Sequence, residues 1–392
     1  MKNEIISHYR KPRLAITFVI LGLIVVMCPF LIPESVSVVD AQETTTWIAM
    51  EQNYTDAVFS DIAFLNETHG WVVGQWTEGS SGNGIIMHTN DAGETWETQL
   101  KNGTEQIYSR IDIVSEDSIW VTSRSALYHS SDCGKTWEKH VVVNFTALLG
   151  MVEFIDDDTG WTATNKTLYK TIDGGLNWEI VTGWNIDDNL LAIKFTSDTE
   201  VWSTGFRGIY HSIDGAETWI EVYESGGWTL SMLDDGTGWA VSDSSLMYTS
   251  NGINWTQLPI PGNAPWRGFT LPYLTDILFI EENGWIAAGE TPIMHTPDGG
   301  STWYAQSVPS HINRRMMALD FLNKTYGWAV GYDGAILKTT TGTDLGTRLW
   351  TGMTDSLFIA IAGSIVGVAA IITGKLFYRR RKRSTIQTTM IQ

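Results

Sequence analysis

The chain has 392 residues, of which 43% are apolar and 18% charged, and its formal net charge is −19. Nineteen Trp residues need a large core and argue against disorder, whereas two Cys cannot form a disulfide scaffold. The basic residues are concentrated in the two terminal tails, so the middle of the chain is strongly acidic and would be repelled by nucleic acid. The composition therefore excludes a disordered chain, a disulfide-stapled domain and a nucleic-acid-binding protein.

The N-terminal segment combines a basic tail with an apolar run at 14–32. Pro29 ends the continuous apolar run at a length typical of a signal peptide, and residues 39–41 offer a small-residue cleavage site. We therefore expect residues 1–41 to be a signal peptide or, if cleavage does not occur, an N-terminal anchor.

The next segment, 43–340, is a repeat marked by tryptophans. Trp96, Trp137, Trp178 and Trp219 are 41 residues apart, and Trp255 and Trp303 continue this first series. A second series sits in a short Gly-Trp-x-x-Gly-like strand, at Trp71, Trp120, Trp161, Trp202, Trp239, Trp285 and Trp328. A period near 41 with glycine and aromatic marks in short strands predicts an all-β propeller with one four-stranded blade per repeat.

The number of blades follows from Trp47. The first series has one member fewer than the second, and Trp47 precedes Trp71 by the same 24 residues that separate Trp96 from Trp120. The N-terminal segment therefore matches the outermost strand of a blade whose other three strands come from the C-terminal end. This predicts seven blades, closed by an N-terminal outer strand that protects an open sheet edge.

A turn motif precedes each tryptophan of the first series. Its pattern, Ser/Thr-x-Asp-x-Gly-x-Thr-Trp, is complete or nearly so around Asp91, Asp132, Asp173 and Asp298; the copy at Asp214 has Ala216 in place of Gly, and the copy at Thr249–Trp255 is one residue shorter. The interpretation of these Asp residues is structural, because Asp accepts backbone N–H bonds in tight turns and the five copies would be dispersed around a ring.

This motif resembles the Asp box, or bacterial neuraminidase repeat. A single propeller that alternates Gly-Trp strands with Asp-box turns looks most like the photosystem II assembly and stability factors, and more distantly like sialidase, sortilin and xyloglucanase propellers. The resemblance covers roughly 43–340. It implies the propeller fold and, as one functional expectation, an assembly or stability factor for a membrane complex.

Enzyme functions find little support in the residues. The sialidase resemblance would require an arginine triad whose first member stands in a Phe-Arg-Ile-Pro-like segment, and no such segment precedes the first Asp box. The acidic pairs Asp156/Asp157 and Asp187/Asp188 are interpreted as solvated loop charge rather than as glycosidase carboxylates. The eight His lack a metal-ligand spacing. We expect no catalytic residue, metal or cofactor, and glycoside hydrolysis remains only a second alternative.

Binding is expected on the top face, defined as the face with the B–C and D–A connections when strands A to D run from the inside of a blade outward; the Asp boxes then lie on the bottom face. Apparent insertions at Trp76–Gly84, a B–C loop, and at Gly262–Tyr273, a D–A loop, both map to the top. Arg and Trp are enriched at binding hot spots. The candidates are Arg207, Trp228, Trp266, Arg267, Arg314, Arg315, Trp76, Arg110 and Arg124.

Asn-x-Thr sequons suggest an external, glycosylated domain. The glycosylation candidates are Asn53, Asn66, Asn102, Asn144, Asn165 and Asn323, with Asn254 less suitable because Trp255 occupies the middle of its sequon. Four of them, Asn53, Asn102, Asn144 and Asn165, map to the top of blades 1–3, so blades 4–7 would stay open for a partner.

The C-terminal part has the pattern of a membrane tether. We expect a linker at 341–356, a transmembrane helix at 357–377 and a basic cytoplasmic tail at 378–392, because an uninterrupted apolar stretch precedes a cluster of Lys and Arg. The propeller would then lie outside the cell membrane. The main functional hypothesis is a membrane-anchored extracellular propeller that binds a protein or a glycan through its top face.

Overall fold

The computed structural model describes residues 45–349, except 52, 79–80, 103–106, 125, 143–148, 165, 261–272, 290–291 and 313–314. The predicted signal peptide or anchor (1–41), the transmembrane helix (357–377) and the tail (378–392) lie outside the described residues. Within the described part of the chain, no helix combines the length and the apolarity needed to cross a membrane.

The described residues form seven antiparallel sheets, which are the blades of a propeller. The strands in chain order are β1 (Ile48–Ala49), β2 (Ala57–Phe64), β3 (Gly70–Glu78), β4 (Ser81–Thr89), β5 (Glu97–Asn102), β6 (Tyr108–Ile113), β7 (Ile119–Ser123), β8 (Leu127–Ser130), β9 (Glu138–His140), β10 (Leu149–Phe154), β11 (Gly160–Thr164), β12 (Thr167–Thr171), β13 (Glu179–Ile180), β14 (Leu190–Phe195), β15 (Val201–Gly205), β16 (Ile209–Ser212), β17 (Ile220–Tyr223), β18 (Thr229–Met232), β19 (Gly238–Ser242), β20 (Ser245–Thr249), β21 (Trp255–Leu258), β22 (Leu274–Ile280), β23 (Asn283–Ala288), β24 (Ile293–Thr296), β25 (Trp303–Ala305), β26 (Met316–Phe321), β27 (Gly327–Gly331), β28 (Ile336–Thr339) and β29 (Thr347–Leu349). A 3-10 turn at Tyr332–Gly334 joins β27 to β28.

Blades 1 to 5 are built from consecutive strands, β2–β5, β6–β9, β10–β13, β14–β17 and β18–β21. Blade 6 contains β22–β25, and blade 7 contains β26–β28 with β1 as its outermost strand. The innermost strands of neighbouring blades contact each other around the whole ring. The predicted all-β seven-bladed propeller, closed by an N-terminal strand, is therefore confirmed.

The closure is anchored by Trp47. Ile48 in β1 pairs with Lys338 in β28, and Trp47 beside it is fully buried. The indole Nε1 of Trp47 donates to Gln306 Oε1 at 2.8 Å, and the backbone N of Trp47 donates to Ser307 O at 3.1 Å. The first described residues of the propeller are thus held by blades 6 and 7 together, as a closing strand requires.

Blade 6 has a fifth strand that the sequence did not predict. β29 lies within the predicted linker 341–356 and pairs antiparallel with β25, placing Leu349 opposite Trp303 and Thr347 opposite Ala305. The side chain of Gln306 donates to the carbonyls of Gly342 and Asp344, which holds the segment that leads into β29. β29 therefore covers the outer edge of blade 6, and it runs toward the end of β25 that adjoins the bottom face.

The tryptophans of the second series fill the spaces between blades. Phe64 of blade 1 stacks on Trp328 of blade 7 with ring centroids 3.5 Å apart, and Phe321 stacks on Trp285 at 4.0 Å. The indole N–H of Trp328 also donates to the backbone carbonyl of Ala92, in the Asp box of the next blade. The 41-residue period thus reflects one repeated interface in which a buried indole joins two blades.

The insertion predicted as a loop at Trp76–Gly84 is not a loop, so that prediction is wrong. β3 and β4 each extend to nine residues and stay paired up to Glu78 and Ser81. The extra residues prolong a hairpin because Trp76 has packing partners there: Tyr54 contacts its ring edge-on at 5.5 Å, and Lys101 Nζ lies 3.6 Å above it. The insertion at Gly262–Tyr273 lies outside the described residues, apart from Tyr273.

Candidate functional site: the top face of blades 4 to 7

The Asp boxes close their own turns. In blade 2, Asp132 Oδ1 accepts the backbone N–H of Thr136 at 2.8 Å, Asp132 Oδ2 accepts the Thr136 hydroxyl at 2.7 Å, and Ser130 donates to Oδ1 at 2.9 Å. The same bonds recur at Asp91, Asp173, Asp214 and Asp298, with Asn177 replacing Thr at Asp173. The five carboxylates lie in five separate turns, so they do not converge on a substrate.

The box geometry also requires a left-handed residue. The backbone φ of Gly134 is 78°, and Ala216, which replaces Gly in blade 4, adopts a φ of 68°. The hydrogen bonds from the Thr136 side chain and backbone lower the pKa of Asp132, because they stabilise the charged carboxylate. Each Asp box is thus a turn on the bottom face that is stabilised by hydrogen bonds to its own charged carboxylate.

Arg207 lies on the top face at the B–C turn of blade 4, as predicted, and it is positioned by two neighbouring carboxylates. Its Nη1 donates to the backbone O and to Oδ2 of Asp187, both at 3.0 Å. Lys166 also donates to Asp187, and the two cations lower the pKa of that carboxyl, with Lys166 contributing most. Arg207 remains 65% exposed, so its guanidinium can still contact a ligand.

Asp188 corrects the interpretation of Asp187/Asp188 as solvated loop charge. Asp187 is exposed, but Asp188 is 2% exposed. Its side chain accepts the backbone N–H of Phe206 at 3.1 Å and of Arg207 at 2.8 Å, as well as the Tyr210 hydroxyl at 2.9 Å. The buried carboxylate therefore fixes the turn that displays the two top-face side chains beside it.

Trp228 meets Phe206 on the top of blades 4 and 5. The two rings touch edge to face, with centroids 5.6 Å apart, and Phe206 is 56% exposed. The indole Nε1 of Trp228 donates to Asp243 Oδ1 at 2.9 Å. Phe206, Trp228 and the B–C turn of blade 5 line a cavity of about 320 Å³. Sequence reasoning missed Phe206, because only Arg and leftover Trp were considered as signals.

Arg315 extends this surface across blade 6. Its Nη2 lies 3.4 Å from Asp243 Oδ1, and its guanidinium lies 5.1 Å from the ring centroid of Tyr273. Tyr273 is 49% exposed, while the buried Arg315 Nε has no hydrogen-bond partner among the described atoms. The top-face cluster, defined as Phe206, Trp228, Asp243, Tyr273 and Arg315, therefore combines exposed aromatic rings with an incompletely satisfied arginine.

Three other predicted binding residues lie elsewhere. Arg110 is on the innermost strand β6, where its charge acts on Asp61 and Asp276. Trp76 packs against Tyr54 and Lys101 at the extended hairpin of blade 1. Arg124 is exposed at the B–C turn of blade 2, away from the cluster. Trp266, Arg267 and Arg314 lie outside the described residues, and of the nine candidates the structure brings together Trp228 and Arg315, with Arg207 adjoining them through Phe206.

The described sequons occupy different settings. Asn66 Oδ1 accepts the backbone N–H of Thr68 and His69, and Asn323 Oδ1 does the same for Thr325 and Tyr326, so both residues shape the A–B turns of their blades. Both are on the bottom face. Asn53 is exposed and Asn102 ends β5, whereas Asn144 and Asn165 lie outside the described residues. Glycosylation at these positions stays a prediction.

Carboxylates on the innermost strands join blade to blade. Asp320 Oδ2 accepts the backbone N–H of Phe64 at 2.6 Å, and Asp276 Oδ2 accepts that of Leu319 at 2.9 Å. Burial raises the pKa of Asp276 to about 6 and that of Asp320 to about 7, because the charged form loses hydration.

Within the described ranges, no group of three or more His, Cys, Asp or Glu could hold a metal ion.

Comparisons with known proteins agree with this architecture. A model of the family described as photosynthesis system II assembly factor YCF48 matches residues 39–144 and 228–340. The photosystem II assembly lipoprotein Ycf48 of Synechococcus sp. (strain CC9902) is 28% identical over 106 residues, which are 26% of this chain and 32% of that protein. The chloroplastic photosystem II stability/assembly factor HCF136 of Oryza sativa subsp. japonica is 29% identical over 101 residues, covering 23% and 24% of the two chains.

The match to these relatives thus spans about a third or less of their length. A solved structure described as YCF48 bound to D1 peptide superimposes with a TM-score of 0.60 at 20% identity, covering 76% of this chain and 97% of that one, and this likeness concerns the fold. The family and both relatives are described as assembly or stability factors and not as enzymes, in agreement with the interpretation that the chain is not an enzyme.

Proposed function

Because the two matched segments together cover more than half of its residues, the chain belongs to the photosynthesis system II assembly factor YCF48 family, and from this premise we propose that it is an assembly or stability factor for a membrane complex. In this proposal the propeller holds a polypeptide segment of a complex subunit on the top face of blades 4 to 7. The solved relative described as bound to D1 peptide supports a peptide as the ligand class.

The observation that carries the proposal is the top-face cluster. Phe206 and Tyr273 expose about half of their side chains, although apolar rings normally pack inside. Trp228 and Arg315 are tied to the same carboxylate of Asp243, so the surface is held in place before a ligand arrives. Aromatic rings and arginine in a preorganised setting are the residues that dominate binding energy at interfaces.

We also propose that the protein is anchored in the cell membrane with the top face directed away from it. Leu349, the last described residue, pairs with Trp303 next to an Asp box on the bottom face. The apolar run that begins at residue 357 is only a few residues farther along, and an extended residue spans at most about 3.6 Å. A helix there would keep the bottom face close to the bilayer and leave the top-face cluster accessible to an external segment of a neighbouring protein.

The experiment uses the full chain in detergent and synthetic peptides that cover the extramembrane segments of the source organism's membrane-complex subunits. Fluorescence anisotropy compares the wild type with the double variant Phe206→Ala/Trp228→Ala. We expect at least one peptide to bind, with affinity lowered about 30-fold by the double change, because two hot-spot side chains contribute about 2 kcal/mol or more.

The matched control is Ile172→Ala/Ile213→Ala, which removes two exposed apolar side chains, 73% and 67% accessible, from Asp boxes on the bottom face. Its peptide affinity should stay within about twofold of wild type. Peptide binding that resists the Phe206/Trp228 change would contradict the proposed surface. If the same two residues controlled binding to a glycan array while no peptide bound, the glycan hypothesis would replace the peptide one.

A further inference from the structure

The bottom of the interface between blades 5 and 6 departs from the repeat. The A–B turn of blade 6 contains only Glu281 and Glu282, because Ile280 pairs directly with Asn283. In blade 3 the corresponding turn leaves five residues between Phe154 and Gly160, the last pair of its strands. The short turn of blade 6 therefore removes bulk from one place on the bottom face.

A cavity of about 620 Å³ occupies this place, and we call it the bottom recess. Its apolar wall contains Met232, Leu233, Phe279 and Ile280. The stacked rings of Trp239 and Phe279, 3.5 Å apart, lie at its base. Its volume falls within the range typical of ligand sites.

Tyr248 gives the bottom recess an unsatisfied polar group. In blades 2, 4 and 6 the equivalent residue is a His, and its Nε2 bonds to the side chain two positions before the Trp of the second series: His129 to Ser118, His211 to Glu200, and His295 to Asn283. Tyr248 is 7% exposed and lines the recess, yet its hydroxyl has no hydrogen-bond partner in the described structure. A buried hydroxyl without a partner is costly, so a ligand that supplies one is favoured.

The rim of the bottom recess is negatively charged. Four carboxylates line it, Asp234, Asp235, Glu281 and Glu282. Lys324 bonds Glu281 Oε2 at 2.6 Å and approaches Glu282 Oε1 at 3.3 Å, so one cation serves that pair. Among the described residues, Asp234 and Asp235 have no ion-pair partner, and the charge of Asp235 contributes to a raised pKa of Tyr248 after the larger effect of burial. The rim therefore favours a cationic ligand.

We propose that the bottom recess binds a Lys or Arg side chain of a partner peptide, with the cationic head at Asp234 and Asp235 and the apolar stem along the wall beside Tyr248. The stem of a basic side chain buries its methylene groups on apolar surface while its head keeps polar contacts, and its N–H can be accepted by the Tyr248 hydroxyl. The opening is on the protein surface and the volume exceeds one side chain's stem, so adjoining peptide residues can enter with it. This site does not depend on the proposed top-face function, because it lies on the opposite face.

The test compares two peptides of equal shape, acetyl-Leu-Arg-Leu-amide and its counterpart in which citrulline replaces Arg. Each is titrated into the full chain in detergent while the ¹H–¹⁵N signal of the Trp239 indole is followed, since this N–H lies at the recess and donates to Gly299 O at 3.3 Å. We expect the Arg peptide to shift this signal saturably and to bind at least tenfold more tightly than the citrulline peptide.

The variant Asp234→Asn/Asp235→Asn should weaken the Arg peptide at least fivefold. The matched control, Asp157→Asn/Asp158→Asn, removes the same charge from the A–B turn of blade 3 on the same face and should change affinity less than twofold. Equal binding of the Arg and citrulline peptides, or equal effects of the two double variants, would overturn the proposal. Binding of n-butylguanidinium as tight as that of the peptide would overturn the assignment to a peptide side chain and leave a small organic cation as the ligand.

Discussion

The interface between blades 4 and 5 and the interface between blades 5 and 6 each contain a tryptophan of the second series, Trp202 and Trp239, but the residue paired with it across the strands differs. In the first, Trp202 stacks on His211 with centroids 4.6 Å apart, and its Nε1 donates to Gly252 O at 3.1 Å. In the second, Trp239 is inclined by 52° to Tyr248, whose hydroxyl is unpaired beside a cavity. The histidine at the first interface packs flat on its tryptophan, whereas the tyrosine at the second leaves a polar group and a cavity that a ligand can occupy.

The largest expected effect comes from breaking the interface between blades 4 and 5. Trp202→Ala removes a 4% exposed indole and its hydrogen bond to the next blade, so the free energy of unfolding should fall by about 3–5 kcal/mol. Chemical denaturation measures the loss. Ile213→Ala in the same blade removes an exposed side chain and should cost less than about 0.5 kcal/mol; a similar loss for both would mean that Trp202 does not hold the blades together.

The ring closure should be the next most sensitive place. Gln306→Ala deletes the acceptor of the Trp47 indole and the donor to Gly342 and Asp344, leaving buried polar atoms without partners. We expect a loss of about 2–3 kcal/mol in the free energy of unfolding and faster proteolysis at the N-terminal strand β1. The control is Gln99→Ala, which deletes the acceptor of the Trp71 indole N–H and the donor to Cys133 O between blades 1 and 2, where no closing strand is involved. Unchanged protection of β1 in Gln306→Ala would contradict this account of closure.

Much of this architecture is readable from the sequence, because each element repeats with a tryptophan as its marker. The 24-residue interval from Trp47 to Trp71 was enough to predict the closing strand. β29 carries no such marker, and its position depends on hydrogen bonds from Gln306 rather than on the period. The hairpin at Trp76 was mistaken for a loop because its packing against Tyr54 and Lys101 is tertiary.

The candidate site was only partly predictable for a related reason. Arg and Trp in top-side loops pointed toward Trp228 and Arg315, but nothing local shows that both meet Asp243, from a third segment. Arg110 satisfied the same pattern and lies instead among the carboxylates of the innermost strands. Spacing thus predicts which face a residue occupies, whereas side-chain pairing across blades decides which residues share a site.

A smaller difference is expected in how the free energy of unfolding depends on pH through the buried carboxylates of the innermost strands and through those of the Asp boxes. Burial raises the pKa of Asp320 to about 7, with the charges of Asp61 and Asp276 adding to the rise, whereas the pKa of Asp132 is lowered by its bonds to Thr136. Between the unfolded value of about 4 and about 7, the folded state therefore binds more protons at Asp320, and this group's contribution to the free energy of unfolding falls as pH rises.

The variant Asp320→Asn keeps an acceptor for the Phe64 N–H and removes the titration. We compare the free energy of unfolding of the variant with that of wild type at each pH. This difference should shift in favour of the variant by about 1–2 kcal/mol from pH 5 to pH 8, a figure reduced for the partial exposure of the carboxyl. Asp132→Asn should leave the slope between pH 5 and pH 8 unchanged, because Asp132 loses its stabilising contribution only as pH falls below about 4. Parallel pH profiles for wild type and Asp320→Asn would show that this carboxyl titrates normally.

The smallest effect should come from removing single hydroxyl groups, one without a partner and one with a partner. Tyr248→Phe deletes an oxygen without a partner, so the free energy of unfolding should be unchanged or rise by up to about 1 kcal/mol. Tyr210→Phe in blade 4 deletes a hydroxyl that donates to the buried Asp188 at 2.9 Å and should cost about 1–3 kcal/mol. Chemical denaturation of both variants at pH 7.5 makes the comparison, and an equal loss would mean that the Tyr248 hydroxyl is satisfied and the bottom recess closed.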